Sequence, residues 1–386
     1  MIRPRTISLA IAALVLGAGA VLSGCSTLSG TAVSVNGSSL SNKEFTDRLD
    51  ALAKDPGYLA VFFSASGQCQ ASSVYGSNKQ NYSTAFTTQV LDQQIAFDVA
   101  HQEVERRHLS VTASDLSAVK TQFVSSVTQQ CPSVTDGAAV LTKLGKYENV
   151  LLRGYADEVA LEHDFETKLN TDAGLRGLYD KTKSEYKDMA CVSLIDVETK
   201  PAATQDSSGN IVSAPASAFA AALTKAQALE TQIANGASFE SVAKSSSNDP
   251  TSAAKGGAIG CVKKGSLSSS GFPGLDTAAF GQAVGEVGAP VKTTLGYAIV
   301  KVTSRGDLTF EQAKSLVQQS VSTTAQNLFA DYLTTASRKA DVAVDPQWGS
   351  WNQKLGYVVP PVGATTTTGH TTILPAGLGS TSSTTP

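Results

Sequence analysis

The most constraining feature of this 386-residue sequence is a change of hydrophobic period near Met189. Upstream of it, apolar residues recur at helical spacing. From Ala190 to Val197 they read as a strand, and beyond Thr309 helical spacing returns. A chain that reads helix, then sheet with helices, then helix is an α+β chain: a helical framework with a mixed unit set into it. At roughly 150 residues per domain the length suits two domains.

The pattern gives residues 31–186 as mostly helical. Thr31 to Val35 reads as a strand closing on the turn Asn36-Gly37, and Ser41-Asn42-Lys43-Glu44 fits a capping box for a helix carrying Phe45, Leu49 and Leu52. Further helices are expected from Ser83 to Arg107, from Ser114 to about Gln129, from Gly145 to Leu169 and from Thr171 to Tyr186. Within 187–306, residues 199–217 are rich in Pro, Ser and Ala and read as a surface insert. A helix over Phe219–Asn235 and a short one at Phe239–Ala243 follow. A turn at Gly256-Gly257, a strand near Ile259–Lys263, a helix near Leu275–Gln282 and strands near Ala289–Thr293 and Tyr297–Thr303 complete the unit. Thr309 to Ala340 reads as one long helix, which needs the N-terminal helices to cover its apolar face. Residues 361–386 carry no charge and too little apolar surface to fold, so disorder is expected there.

Charge narrows the function. With 30 basic and 33 acidic residues the net charge is -3, and a nucleic-acid partner would call for a basic face instead. Only four histidines occur, His101, His108, His163 and His370, none at ligand spacing with another. No Cys-x-x-Cys pair exists, so no metal is expected. No cofactor is expected either.

The first 24 residues have a basic start, an apolar run from Ile7 to Leu22 and small residues at its end, the form of a secretory signal. Leu22-Ser23-Gly24-Cys25 resembles the bacterial lipobox, which implies cleavage before Cys25 and acylation of its sulfur. Residues 25–30 would then be a tether. Outside the cytoplasm the four other cysteines, Cys69, Cys131, Cys191 and Cys261, suggest disulfides. Three connectivities are open, and pairing within each predicted unit is the simplest.

Several linked motifs in 187–306 resemble a parvulin-type peptidyl-prolyl isomerase domain. They are Gly236-Ala237-Ser238-Phe239-Glu240-Ser241-Val242-Ala243, then Ser247-Asn248-Asp249-Pro250 leading to Lys255-Gly256-Gly257-Ala258-Ile259-Gly260. Ala278-Ala279-Phe280, Gly285-Glu286-Val287-Gly288 and Leu295-Gly296-Tyr297-Ala298-Ile299-Val300 continue the match. The flanks, through Val33-Ser34-Val35-Asn36-Gly37, Val90-Leu91-Asp92-Gln93-Gln94-Ile95 and Leu178-Tyr179-Asp180, are similar to extracytoplasmic foldases of the SurA/PrsA type. The resemblance implies a helical chaperone module of residues 31–186 plus a C-terminal helix in 307–345. A parvulin-like antiparallel-sheet domain at 187–306 would be inserted between them. It implies unfolded or proline-containing secreted polypeptides as partners, and attachment to the outer face of the cell membrane through Cys25.

Prolyl isomerisation crosses a barrier of about 18–20 kcal/mol set by amide resonance. A site needs an apolar seat for the proline ring and polar groups that favour the twisted amide. Parvulins place a histidine on the first strand and another on the last. Here those positions hold Leu194, or Ser193 one residue earlier, and Ala298. No histidine lies between His163 and His370, so no realignment supplies one. The family's acidic position falls on Asp249, which also reads as a turn residue before Pro250. Ile259, Val262, Phe272, Leu275 and Phe280 fall at the apolar positions around the proline seat, or form ordinary core. Cys191 and Cys261 fall where they could clamp two strand ends. Three functions compete: a foldase whose isomerase domain has weak or lost catalysis, an active isomerase with a rearranged site, and a non-enzymatic scaffold lipoprotein.

Overall fold

The computed structural model describes residues 30–62, 74–76, 81–200, 204–205, 211–212 and 214–361. The signal segment, Cys25, Cys69, His370 and the tail beyond Pro361 lie outside them. The chain forms two compact units, one of residues 1–161 with 330–386 and the other of residues 162–329.

The first unit opens with the hairpin β1 (Thr31–Val35) and β2 (Ser38–Ser41). Asn36 and Gly37 at its tip have φ of 49° and 91°, the left-handed pair that a two-residue hairpin loop requires. Helix α1 (Asn42–Ala53) starts on the capping box read in the sequence, Ser41 with Glu44, and buries Phe45, Leu49 and Leu52. There follow α2 (Pro56–Phe62), α3 (Thr84–Arg106), α4 (Ala113–Gln130), α5 (Gly137–Lys143) and α6 (Tyr147–Leu169), whose last turns enter the second unit. Their core includes Phe86, Leu91, Ile95, Phe123, Leu141, Tyr155 and Leu161. His101 is half-exposed, but its Nδ1 lies 2.9 Å from the buried Asp157 carboxylate, which Arg153 also holds.

In the second unit, α7 (Asp172–Lys181) and a 3-10 turn at Lys183–Tyr186 lead into β3 (Met189–Glu198). The insert holds the two-residue strands β4 (Thr204–Gln205) and β5 (Ile211–Val212). Next come α8 (Ala216–Ala234), α9 (Phe239–Ser246), α10 (Pro250–Ala253), β6 (Ala258–Lys263), α11 (Ser266–Ser269), α12 (Pro273–Gly281), β7 (Val291–Lys292) and β8 (Gly296–Gly306). The sheet is antiparallel throughout, in the order β6-β3-β8-β7. Alternation along β3 and β8 sends Ile195, Val197 and Ile299 to one face, where α8 and α9 add Ala222, Ala226, Phe239 and Val242. It sends Ala190, Val192, Ala298, Val300 and Val302 to the other face, against Leu275 and Ala279 of α12.

The expected single helix over 309–340 is two helices, α13 (Phe310–Gln319) and α14 (Val321–Lys339). They part at Ser320, whose hydroxyl donates to the Val317 carbonyl at 2.8 Å, a local bond that competes with the helical ladder. Helix α13 buries Phe310, Ala313 and Val317 against Leu175, Leu178 and Tyr179 of α7, and the Tyr179 hydroxyl donates to the Leu308 carbonyl at 2.6 Å. Helix α14 continues into the first unit, where β9 (Val342–Val344) pairs with β1 and a hairpin of β10 (Ser350–Asn352) and β11 (Tyr357–Val359) follows.

Candidate functional site

Of the predicted site residues, Ala298, Leu275, Val262, Phe272 and Phe280 gather on the α12 face of the four-stranded sheet, whereas Ser193, Ile259 and Asp249 do not. Cross-strand register puts Asp196 of β3, Ala298 of β8 and Val291 of β7 in one row. The next row pairs Leu194 with Val300, and the next Val192 with Val302. Leu194 therefore shares the face of Ala298 as its diagonal neighbour. Ser193 alternates to the other face and pairs with Lys301. Ala298 is 1% exposed, so its methyl group is fully enclosed.

The apolar candidates divide. Leu275 is buried in this cluster, and Val262, Phe272 and Phe280 pack half-buried against its edge. Phe272 immediately precedes Pro273, the first residue of α12. Ile259 stands apart from the cluster and is 37% exposed.

Beyond Ser193, the outer edge of β3 is covered by the chain between α9 and β6. The Asp196 amide donates to the Ser247 hydroxyl at 3.0 Å, and the Asn248 amide donates to the Asp196 carbonyl at 2.8 Å. The Leu194 amide donates to the Gly257 carbonyl at 2.8 Å. Gly257 has φ of 88°, and a Cβ there would come 2.6 Å from the Leu194 carbonyl oxygen, so this approach requires glycine.

Asp249 caps α10: its carboxylate accepts from the Thr251 amide at 3.1 Å and the Ser252 amide at 3.2 Å. Hydrogen bonding from Ser252, with the Thr251 amide, holds its carboxyl below the ordinary range. The sequence reading of Asp249 as a turn residue before Pro250 describes this geometry. Asp196 was not singled out. Burial first, and then the charges of Glu198 and Asp249, push its carboxyl up to about 6. Its signal in the sequence was a break in alternation: Ala190, Val192 and Leu194 are apolar, and the next residue of that face is an aspartate.

Cys191 and Cys261 are directly opposed in the β3–β6 ladder and joined by a disulfide. Cys131 is disulfide-bonded as well. Among the described residues no cluster of three His, Cys, Asp or Glu side chains could hold a metal ion.

Residues 205–304 match the Rotamase family, the PPIC-type PPIASE domain. The chain carries a parvulin-type domain. The matched segment covers the row positions Val291 and Ala298, while Ser193, Leu194 and Asp196 precede it. The Foldase protein PrsA 2 of Bacillus anthracis is 30% identical over 125 residues, 31% of this chain and 42% of that protein. A Parvulin-like PPIase of Rickettsia felis is 31% identical over 126 residues, again 31% and 42%. The match thus spans about two fifths of the length of these curated relatives. Among solved structures, the foldase protein PrsA of Streptococcus pneumoniae aligns over 80% of this chain and 91% of its own, at 16% identity and a TM-score of 0.33. PrsA of Bacillus subtilis aligns over 67% and 83%, at 19% identity and a TM-score of 0.30.

Proposed function

We propose that this chain is a membrane-anchored extracytoplasmic foldase. Its parvulin-type domain binds prolyl segments of unfolded secreted proteins and isomerises them weakly. The observation that carries this reading is the α12 face of the sheet. It keeps an apolar cluster with Phe272, Val262 and Phe280 packed against it, yet has the enclosed methyl of Ala298 and the aliphatic Leu194 where the resemblance places the family's histidines. Apolar surface can seat a proline ring, while the polar groups that stabilise a twisted amide are depleted. The relatives named PrsA foldase support the foldase reading, and the lipobox-like Leu22-Ser23-Gly24-Cys25 supports the anchor. Among the described residues no helix is long and apolar enough to cross a membrane. Attachment in this reading is through acylated Cys25.

A prolyl-peptide isomerisation assay on the full chain tests the catalytic half. A small enhancement is expected, and a rate equal to that of histidine-bearing parvulins would refute it. Suppression of aggregation of an unfolded client tests the chaperone half. Lack of suppression, together with no peptide-induced NMR shifts, would favour the scaffold lipoprotein instead.

A further inference from the structure

Asp196 occupies a particular place on the parvulin-type sheet. Its neighbours in the strand, Ile195 and Val197, belong to the cluster under α8, so its side chain stands on the opposite face. There it lies directly across the ladder from Ala298, in the row that ends at Val291. Its main chain is fixed from the outer edge by Ser247 and Asn248. Its carboxyl is half-buried, and among the described residues no Lys or Arg acts on it; the charged groups that face it are Glu198 on its own strand and Asp249 on α10. Its cross-strand neighbours on β8 and β7 are apolar. Asp249 differs, because both its oxygens accept the amides of α10.

The geometry points to Asp196 as a catalytic residue of prolyl isomerisation in this chain, its protonated carboxyl donating a hydrogen bond to the prolyl nitrogen of a bound peptide. This rests on the reading that the domain binds prolyl segments. In the planar amide the nitrogen lone pair is delocalised into the carbonyl and accepts poorly. As the bond twists, that pair localises on nitrogen and becomes an acceptor, so a donor held there binds the twisted state more strongly than the planar one. No covalent bond forms or breaks, and the proton stays on the carboxyl. The role needs the acid form. A carboxyl titrating at about 6 is protonated in only about a tenth of molecules near pH 7, which gives weak catalysis at neutrality and stronger catalysis in mild acid.

The test is the isomerisation rate of a short prolyl peptide, followed by NMR exchange on the full chain between about pH 5 and about pH 8. The wild type is expected to lose at least about tenfold across that range. D196A is expected to stay at the wild type's high-pH level throughout while binding the peptide with unchanged affinity. D196N, whose carboxamide donates at every pH, is expected to keep activity with a flat profile. A flat wild-type profile overturns the proposal, as does an acid-side rise surviving in D196A. If D196A fails to fold, an acid-side rise surviving in D196N overturns it. Absence of isomerisation at every pH, with peptide still bound, overturns the role of Asp196 and leaves the client-binding reading standing. Absence of peptide binding overturns both.

Discussion

At the scale of single residues, the site is defined by what encloses each position. Ala298 is buried among the apolar side chains of the α12 face. Ala298→His would overpack the cluster around Leu275 and Val300, at a cost of about 1–3 kcal/mol. The expected result is a lower Tm by calorimetry and no gain in isomerisation, so restoring the family residue type alone does not restore the activity. Asp92 in α3 is another half-buried carboxyl. It accepts from the Val358 amide of β11 at 2.7 Å, and burial pushes it up to about 7 from 3.8. Its folded-state value lies above its unfolded value, so its contribution is fully present below about 3.8 and is lost as pH rises through about 7. Asp92→Asn keeps an acceptor for Val358 without the charge. It is expected to gain on the order of 1–2 kcal/mol near pH 8 and little near pH 4, measured by urea denaturation at both. A variant equally shifted at both pH values would refute this. Asp196 shows the limit of what the sequence reveals: the break in alternation marks the residue, but only the register sets it opposite Ala298.

At the scale of elements, β6 is the least protected strand of the sheet. It is an edge strand, with Ala258, Ile259 and Gly260 exposed, and the Cys191–Cys261 disulfide fastens it to β3. The bridge closes a loop with a sequence separation of 70 residues, and such bridges typically stabilise by about 2–4 kcal/mol. Reduction, or Cys261→Ser, is expected to lower the stability of this unit by that order. It should also speed amide exchange in 258–263 more than in β8, as read by hydrogen-exchange mass spectrometry. Equal exchange in the two strands would count against an edge strand held by its disulfide. The helices were legible from period and caps, as with Ser41 and Glu44 at α1. The break at Ser320 was not, because apolar spacing runs through it and α13 parts from α14 on local bonds from the Ser320 amide and hydroxyl to the Val317 carbonyl. The strands β2, β10 and β11 were also missed. They are three or four residues long, too short for period-2 alternation to stand out.

At the scale of the whole molecule, the proposed anchor and the proposed foldase role make separate predictions. Cys25→Ser is expected to move the protein from the membrane fraction to the soluble fraction without changing its suppression of client aggregation. Retention in the membrane would show that something other than an acylated Cys25 holds it. The fold class was legible from the change of period at Met189. The partners of α7 and α13 were harder to read, because their shared core joins residues before and after the sheet, Leu175 and Tyr179 with Phe310 and Val317.

One pairing also sets an order of assembly. Strand β1 bonds to β9 through Val33 and Val344, so the first unit's sheet joins the two ends of the described chain. A polypeptide made N-terminus first presents β1 long before β9 exists. The 162–329 unit has its whole sequence in hand earlier and can condense while the other waits. Until the final stretch emerges, β1 carries one open edge, the kind of backbone that invites foreign strands. A protein proposed to guard emerging chains thus passes through the same exposed stage as its clients, its own first strand waiting for β9.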